Sequence, residues 1–255
     1  MSNPLRPFAR GMWRIYQPLR NSGRRFYRLP RLYSRFFRDW RQFKRMGGEA
    51  RFELLAPCLF DQDPSTNSGG GHYFFQDVWA LRTLGQLQPP VHHDVGSRLD
   101  GFVGQVTAIC PVVYWDIRPP SFSLPRFEYR RGSILELPLE NQSIHSLSCL
   151  HVAEHIGLGR YGDPIDPEGT TKSLRELARV LAPGGTLLFA MPVGKEALWF
   201  NAQRIWDPRR PIDTVPDLKL VSFHCVTDED KFIENTTPDS VANAWYACGM
   251  YHFTR

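Results

Sequence analysis

Short apolar runs and helical spacings alternate along most of this chain. Val91–Val95, Val112–Asp116, Phe127–Arg131 and Ile144–Leu150 read as strands one to four. His72–Leu87 carries Phe74, Phe75, Val78, Trp79 and Leu81 at helical spacing and stops at Pro89-Pro90. The same spacing returns at Leu174, Leu177, Ala178 and Leu181, ahead of Pro183-Gly184-Gly185 and the apolar strand Thr186–Met191. Leu218–Val226 and Trp245–Phe253 add two β-rich runs, expected as a late strand pair at the sheet edge. Seven strands interleaved with helices predict an α/β fold built on a doubly wound, mostly parallel sheet.

The N-terminal part follows a different pattern. Residues 1–51 hold 14 Lys and Arg against 2 Asp and Glu, leaving 17 against 24 for the remainder, so the net charge of +5 conceals a basic arm on an acidic body. Phe8, Trp13, Tyr16, Phe26 and Tyr27 interleave with the arginines, and Pro4, Pro7, Pro18 and Pro30 break up the first half. Only Arg31–Met46 reads as a helix, with Leu32, Phe36, Trp40 and Phe43 on one face, Tyr33 and Phe37 widening it, and Arg31, Arg35, Arg38 and Arg45 flanking it. A basic helix of this kind suits an anionic membrane surface, which residues 1–46 would contact. Packing of its aromatic face onto the rest of the chain accounts for it equally, and nucleic acid ranks behind both. The Gly- and Ser-rich stretch Ser65–Gly71 divides an extension, residues 1–64, from a domain, residues 65–255.

A chain of 255 residues with 42% hydrophobic content can bury one full core beside such an extension. Cys58, Cys110, Cys149, Cys225 and Cys248 are scattered and form no CxxC pair, so their spacing supports neither a disulfide framework nor a zinc site, and no metal is expected. No apolar run approaches the roughly 20 residues of a membrane span. A cytoplasmic protein is expected, soluble or peripheral on the inner face of the membrane.

Candidate chemistry gathers at the end of the first strand. Val91–Gly96 passes from an apolar run through Asp94 to a glycine turn, and Asp116 closes the next strand 20 residues beyond Gly96. Gly96 would let backbone approach a nucleotide-type ligand, and Asp116 would accept from ribose hydroxyls. Gly96 is followed by Ser97, Arg98, Leu99 and Asp100 before Gly101, so the full G-x-G-x-x-G signature of a pyrophosphate site is absent. Asp94 would repel a pyrophosphate but suits the ammonium of a methionine moiety, which points to S-adenosylmethionine. Capping of the next turn is the plainer role for Asp94, and a solvated strand end is the plainer role for Asp116.

The segments Val91–Ser97, Trp115–Pro119, Gly132–Leu139, Leu150–Ile156 and Leu181–Leu187 resemble, in this order, a class I S-adenosylmethionine-dependent methyltransferase over about residues 72–255. Within that superfamily, His72–Asp77, His92–Gly104, Gly157–Pro167 and Phe200–Arg204 resemble more closely a methyltransferase-like family of unknown function, some members of which belong to bacterial surface-polysaccharide gene clusters. The resemblance implies a Rossmann-like methyltransferase sheet, S-adenosyl-L-methionine as cofactor, and a cofactor site made of Asp94, Gly96, Ser97, Asp116, Ile117, Ser133, Ile134 and Leu150. Two positions depart from the superfamily: Gly132-Ser133 stands where many members place an acid for the adenine amine, and Ile144-His145 stands where many have Phe-Asp.

The acceptor of such an enzyme is expected at the carboxyl end of the fourth strand, here the loop Leu150–Glu168. A hydroxyl acceptor needs a base, for which His155 is the first choice, with His151, Glu154 and Asp163 beside it. Arg160, Tyr161, Asp166, Asn201 and Arg204 are the candidate acceptor contacts. The resulting expectation is an O-methyltransferase acting on a sugar or cell-envelope precursor, hence on a small-molecule or glycan acceptor. A non-catalytic scaffold with this fold and an RNA methyltransferase are its rivals.

Overall fold

The computed structural model describes residues 27–60 and 70–255; Phe8, Trp13, Tyr16, Phe26 and nearly all of the linker Ser65–Gly71 lie outside the described residues. The chain divides into two units, Met1–Gly69 and Gly70–Arg255. In the first, helix α1 (Leu29–Arg45) has Pro30 in its opening turn and Lys44 and Arg45 in its last, where each suits the helix end it occupies. Phe37 meets Phe36 and Trp40 edge-on, and Trp40 packs against Phe52 and donates Nε1–H to the Ala50 carbonyl at 3.0 Å. Part of the predicted aromatic face is therefore used inside this unit, while Phe43 at its end is exposed. Among the described residues no helix is long and apolar enough to cross a membrane.

The second unit begins with α2 (Gly71–Leu87) and β1 (His92–Val95), followed by a wide helical turn, Leu99–Val103, that runs into α3 (Gly104–Val106). Then come β2 (Val112–Asp116), β3 (Phe127–Arg131), β4 (Ile144–Leu150), α4 (Gly169–Val180), β5 (Leu181–Val193) and the hairpin β6 (Ala197–Trp199)–β7 (Gln203–Ile205). Helix α5 (Arg210–Thr214) leads to β8 (Lys219–Val226), β9 (Phe232–Ile233) and β10 (Ala247–Thr254).

The main sheet runs β3-β2-β1-β4-β5-β10-β8-β9. Strands β1 to β5 pair in parallel, and β10 pairs antiparallel with both β5 and β8. The doubly wound sheet is thus present, with eight strands where seven were expected, because Phe232-Ile233 pairs with Cys225 and Val226 at the edge. Two residues are too few to leave a periodic signature. The late strands also differ from the expected edge pair: β10 lies inside the sheet. Its first five residues are all buried, and a strand covered on both faces belongs in an interior position.

Alternate residues of β5 supply the two cores. Leu187, Phe189 and Met191 join Leu147 and the α4 residues Leu174 and Leu177 on one face. Leu188 and Ala190 join Met250 and the α2 residues Trp79, Ala80 and Leu84 on the other.

Strand β1 departs from this apolar rule. His92 is fully buried, with Nδ1 2.7 Å from Ser146 Oγ and Nε2 2.8 Å from Ser148 Oγ. Ser148 donates its hydroxyl hydrogen to Asp94, so it must receive Nε2–H from His92, whose Nδ1 then accepts from Ser146. Asp94 also accepts the Ser97 N–H at 2.9 Å, and Ser97 Oγ accepts the Leu150 N–H at 2.9 Å. This buried chain staples the tips of β1 and β4, between which the strand order reverses. Such a reversal point is where doubly wound sheets bind ligands. Replacing His92 by Ala strands two serine hydroxyls and opens a cavity, so urea unfolding is expected to show a loss on the order of 3 kcal/mol.

Candidate active site

A cavity of about 360 Å³ opens outside the carboxyl ends of β1, β2 and β4. That volume is in the range of small-molecule sites. Gly96, Asp116, Ile117, Ser133 and Ile134 line one end, and His151, His155, Tyr161 and Asp163 line the other. Gly96 has φ +72°, and a Cβ there would stand 2.9 Å from a Val152 methyl carbon, so the turn admits backbone where a side chain would not fit. Ser133 is turned partly inward: its Oγ accepts the Leu135 N–H at 3.2 Å.

Three expected cofactor contacts are corrected. Asp94, Ser97 and Leu150 do not line the cavity; their polar groups are spent on the buried staple beneath it. Burial pushes the Asp94 carboxyl up to about 7, against the hydrogen bonds from Ser148 and Ser97, so it is a brace and not a surface charge.

Asp116 does face the cavity, but its acceptor positions are filled. Oδ1 accepts the Arg118 N–H at 2.8 Å and Arg118 Nε at 3.1 Å; Oδ2 accepts Tyr114 OH at 3.0 Å and an Arg118 terminal nitrogen at 3.2 Å. Four donors saturate a carboxylate. Arg118 also lies 4.7 Å over the Tyr161 ring, bridging the two ends of the cavity. Sequence reasoning missed this residue, although an arginine two positions after a strand-end Asp, where side chains commonly fold back, is a usable signal.

On the acceptor side, His155 sits in a short helical turn, Ala153–His155, and burial drives its pKa down to about 4. Its Nδ1 lies 2.6 Å from the Ala202 carbonyl, which can only accept, and 3.2 Å from an Arg160 terminal nitrogen, which can only donate; the shorter contact assigns the proton to Nδ1 and leaves the lone pair on Nε2. His151 has φ +55°, is buried, and is likewise pushed down to about 3 by desolvation. Glu154, another of the candidate bases, is fully buried with no hydrogen-bond partner on either oxygen, and burial raises it to about 8. It stands 3.7 Å from His155 Nε2. With the acid pushed up and the imidazole pushed down, both are neutral at pH 7, so this contact is not an ion pair.

The loop that follows is held by groups expected to act on substrate. Asp163 lines the cavity, yet it accepts backbone N–H groups of Gly157 at 2.6 Å and Tyr161 at 3.2 Å; these bonds outweigh burial and keep it below its usual range, unsuited to a base. Asp166 is away from the cavity, accepting from Glu168 N–H and Lys172. Arg204 is buried and donates to the carbonyls of Ile156, Asp166 and Pro167 and to Thr170 Oγ1, so it braces the loop and is not available to an acceptor. Asn201 is at the β6–β7 turn, 3.4 Å from the Leu158 carbonyl, and does not line the cavity. Arg160 does not line it either; it reaches the Ala202 carbonyl at 3.2 Å and lies 5.2 Å over Tyr161. Gly157 permits the fold of this loop: φ is +82°, and a Cβ would overlap the Asp166 carbonyl oxygen.

The mostly parallel sheet flanked by helices is a Rossmann-like methyltransferase fold. SpnF, a [4+2]-cyclase, is 12% identical with a TM-score of 0.53 over 74% of this chain and 85% of that one. The N-methyltransferase NodS from Bradyrhizobium japonicum WM9, solved with S-adenosyl-L-homocysteine, is 14% identical with a TM-score of 0.48 over 77% and 90%. A TehB-like S-adenosylmethionine-dependent methyltransferase from Corynebacterium glutamicum is 12% identical with a TM-score of 0.46 over 89% and 99%. Identities this low fix the fold and not the chemistry. Residues 141–229 match a family described as Caenorhabditis protein of unknown function, DUF268. No curated protein matches the chain.

Burial of these acids sets the pH dependence of stability. Glu154 keeps its proton to about 8 in the folded chain against 4.5 in its ordinary state, and Asp94 to about 7 against 3.8, so the unfolded chain binds fewer protons and stability falls as pH rises through that window. Buried histidines held neutral oppose this over the same range, so the acid is isolated by difference: between pH 6.5 and 8.0 the wild type is expected to lose about 1.5 kcal/mol relative to Glu154→Gln in denaturant unfolding.

Proposed function

We propose that this chain is an S-adenosylmethionine-dependent methyltransferase that acts on a hydroxyl of a small-molecule or glycan acceptor. The observation that carries this reading is the pairing of a nucleoside-type half-site with a neutral imidazole across one cavity. Backbone at Gly96, the Asp116 carboxylate, Ile117 and the Ser133-Ile134 segment would hold the cofactor. Bound there, it supplies an electrophilic methyl group on a sulfonium. His155, with its lone pair on Nε2, can take the proton that a hydroxyl acceptor must lose, which an amine acceptor would not require. Val152 and Ile156 give the same wall an apolar surface that excludes water.

An acceptor larger than the cavity is supported by aromatics linked to its wall through His151, His72 and Tyr246. Trp199 and Phe200 on the β6–β7 hairpin and Trp245 are exposed, and Trp199 stacks on Tyr246 at 5.2 Å. A sugar or cell-envelope precursor suits these aromatics, and that identity rests on the family resemblance. The basic arm fits delivery to an anionic membrane surface. Saturation of Asp116 favours one rival, a scaffold with this fold that binds no cofactor.

Calorimetry with S-adenosyl-L-homocysteine separates the two. Micromolar binding is expected, weakened at least about tenfold in Asp116→Asn, because a lost charged acceptor costs 1.4 kcal/mol or more. Arg118→Ala frees two acceptor positions and is expected to tighten binding several-fold. Absence of heat from both folded wild type and Arg118→Ala establishes the scaffold. For the arm, anionic vesicles should sediment the full chain and leave a form without residues 1–46 in solution; equal sedimentation removes the membrane role.

A further inference from the structure

We infer that His72, His151 and Cys248 form a binding site for one thiophilic divalent cation of the zinc class. The three come from distant points of the sequence: the opening turn of α2, the residue after β4, and the second residue of β10. One ligand atom from each, two imidazole nitrogens and the sulfur, lie within 4.8 Å of one another. His72 Nδ1 and His151 Nε2 face each other at 3.3 Å. Around a tetrahedral zinc with bonds of about 2.0–2.3 Å, ligand atoms stand roughly 3.3–3.6 Å apart, so the imidazole pair is at ligand spacing and the sulfur has roughly an ångström at most to close. Imidazole with thiolate selects zinc or copper over magnesium or calcium.

The surroundings fit a ligand set better than a packed core. His151 holds a left-handed φ of +55°, a conformation a non-glycine residue keeps only where its environment demands it, and this turns its ring toward His72. The His72 ring stacks on Tyr246 at 4.8 Å, a contact that fixes the orientation of the ring. The edge of Tyr73 braces His151.

Three protein ligands leave a tetrahedral cation with an open position. His151 lines the cavity described above, while His72 lines a second one with Tyr73, Asp228 and Trp245, so that position is reachable from the acceptor side. A ligand with a hydroxyl or other oxygen donor is the class that would complete the shell. Cation binding does not depend on the cofactor reading, and the two fail separately.

The test uses the untagged full chain, stripped of metal and titrated with Zn²⁺ and, in parallel, with Co²⁺. One equivalent is expected per chain, with a cobalt–thiolate charge-transfer band in the near ultraviolet. The band should vanish in Cys248→Ser, and affinity should drop at least about tenfold in His72→Ala. Cys58→Ser, at an exposed cysteine outside the cluster, should retain both. If Cys248→Ser does not fold, His72→Ala, only half-buried, decides the matter. No stoichiometric uptake by folded wild type, or uptake without the thiolate band, overturns the proposal.

Discussion

The buried hydrogen-bond chain from Ser146 through His92, Ser148, Asp94 and Ser97 to Leu150 is the constraint on which the site depends. The cavity lies beyond the carboxyl ends of parallel strands β1 and β4 among others, and it keeps its shape only if something fixes their separation. Apolar packing alone is indifferent to small slides, whereas a directional chain of polar groups in a dry interior is not, since each unmade bond costs a full desolvation penalty. With those tips fixed, Gly96 and the Ala153–His155 turn follow, and the cavity floor with them.

Electrostatics at the site are dominated by removal from water. His151, His155, Asp94 and Glu154 are all driven toward their neutral forms. Charge at the cavity wall is held by Asp116, paired with Arg118, by Asp163, bonded to backbone N–H groups, and by Arg131. A ligand at the Asp116 end therefore meets an ion pair that it must rearrange. That arrangement suits a nucleoside, whose hydroxyls can replace a guanidinium on a carboxylate, and it gives Tyr161 a role in carrying Arg118 when it is displaced.

Much of this architecture is legible in the amino-acid order. Strands β2, β3 and β4 begin and end where the sequence predicts: β2 is buried throughout and β4 at all but His145, while β3 at the sheet edge alternates half-buried Phe127 and Tyr129 with exposed charged residues. β9 is invisible for want of length, and the interior place of β10 depends on pairing with β5, a partner more than fifty residues away. Site residues divide on the same principle. Gly96 and Asp116, marked by local spacing, and Ser133 and His155, implied by the family resemblance, do line the cavity. Arg204 and Asp166 look like binding groups in sequence because a buried arginine bonded to loop carbonyls and a threonine hydroxyl, and a salt-bridged loop acid, share the composition of a binding site. The cluster of His72, His151 and Cys248 has no spacing to betray it, since three separate elements bring it together.

The most direct test of the account is a crystal structure of the chain grown with saturating S-adenosyl-L-homocysteine. The account predicts the ligand between Gly96 and Ser133, its ribose hydroxyls on the Asp116 carboxylate, and the Arg118 guanidinium moved off that carboxylate. A cavity without ligand and with Arg118 still bonded to Asp116, or ligand bound elsewhere on the chain, would contradict it.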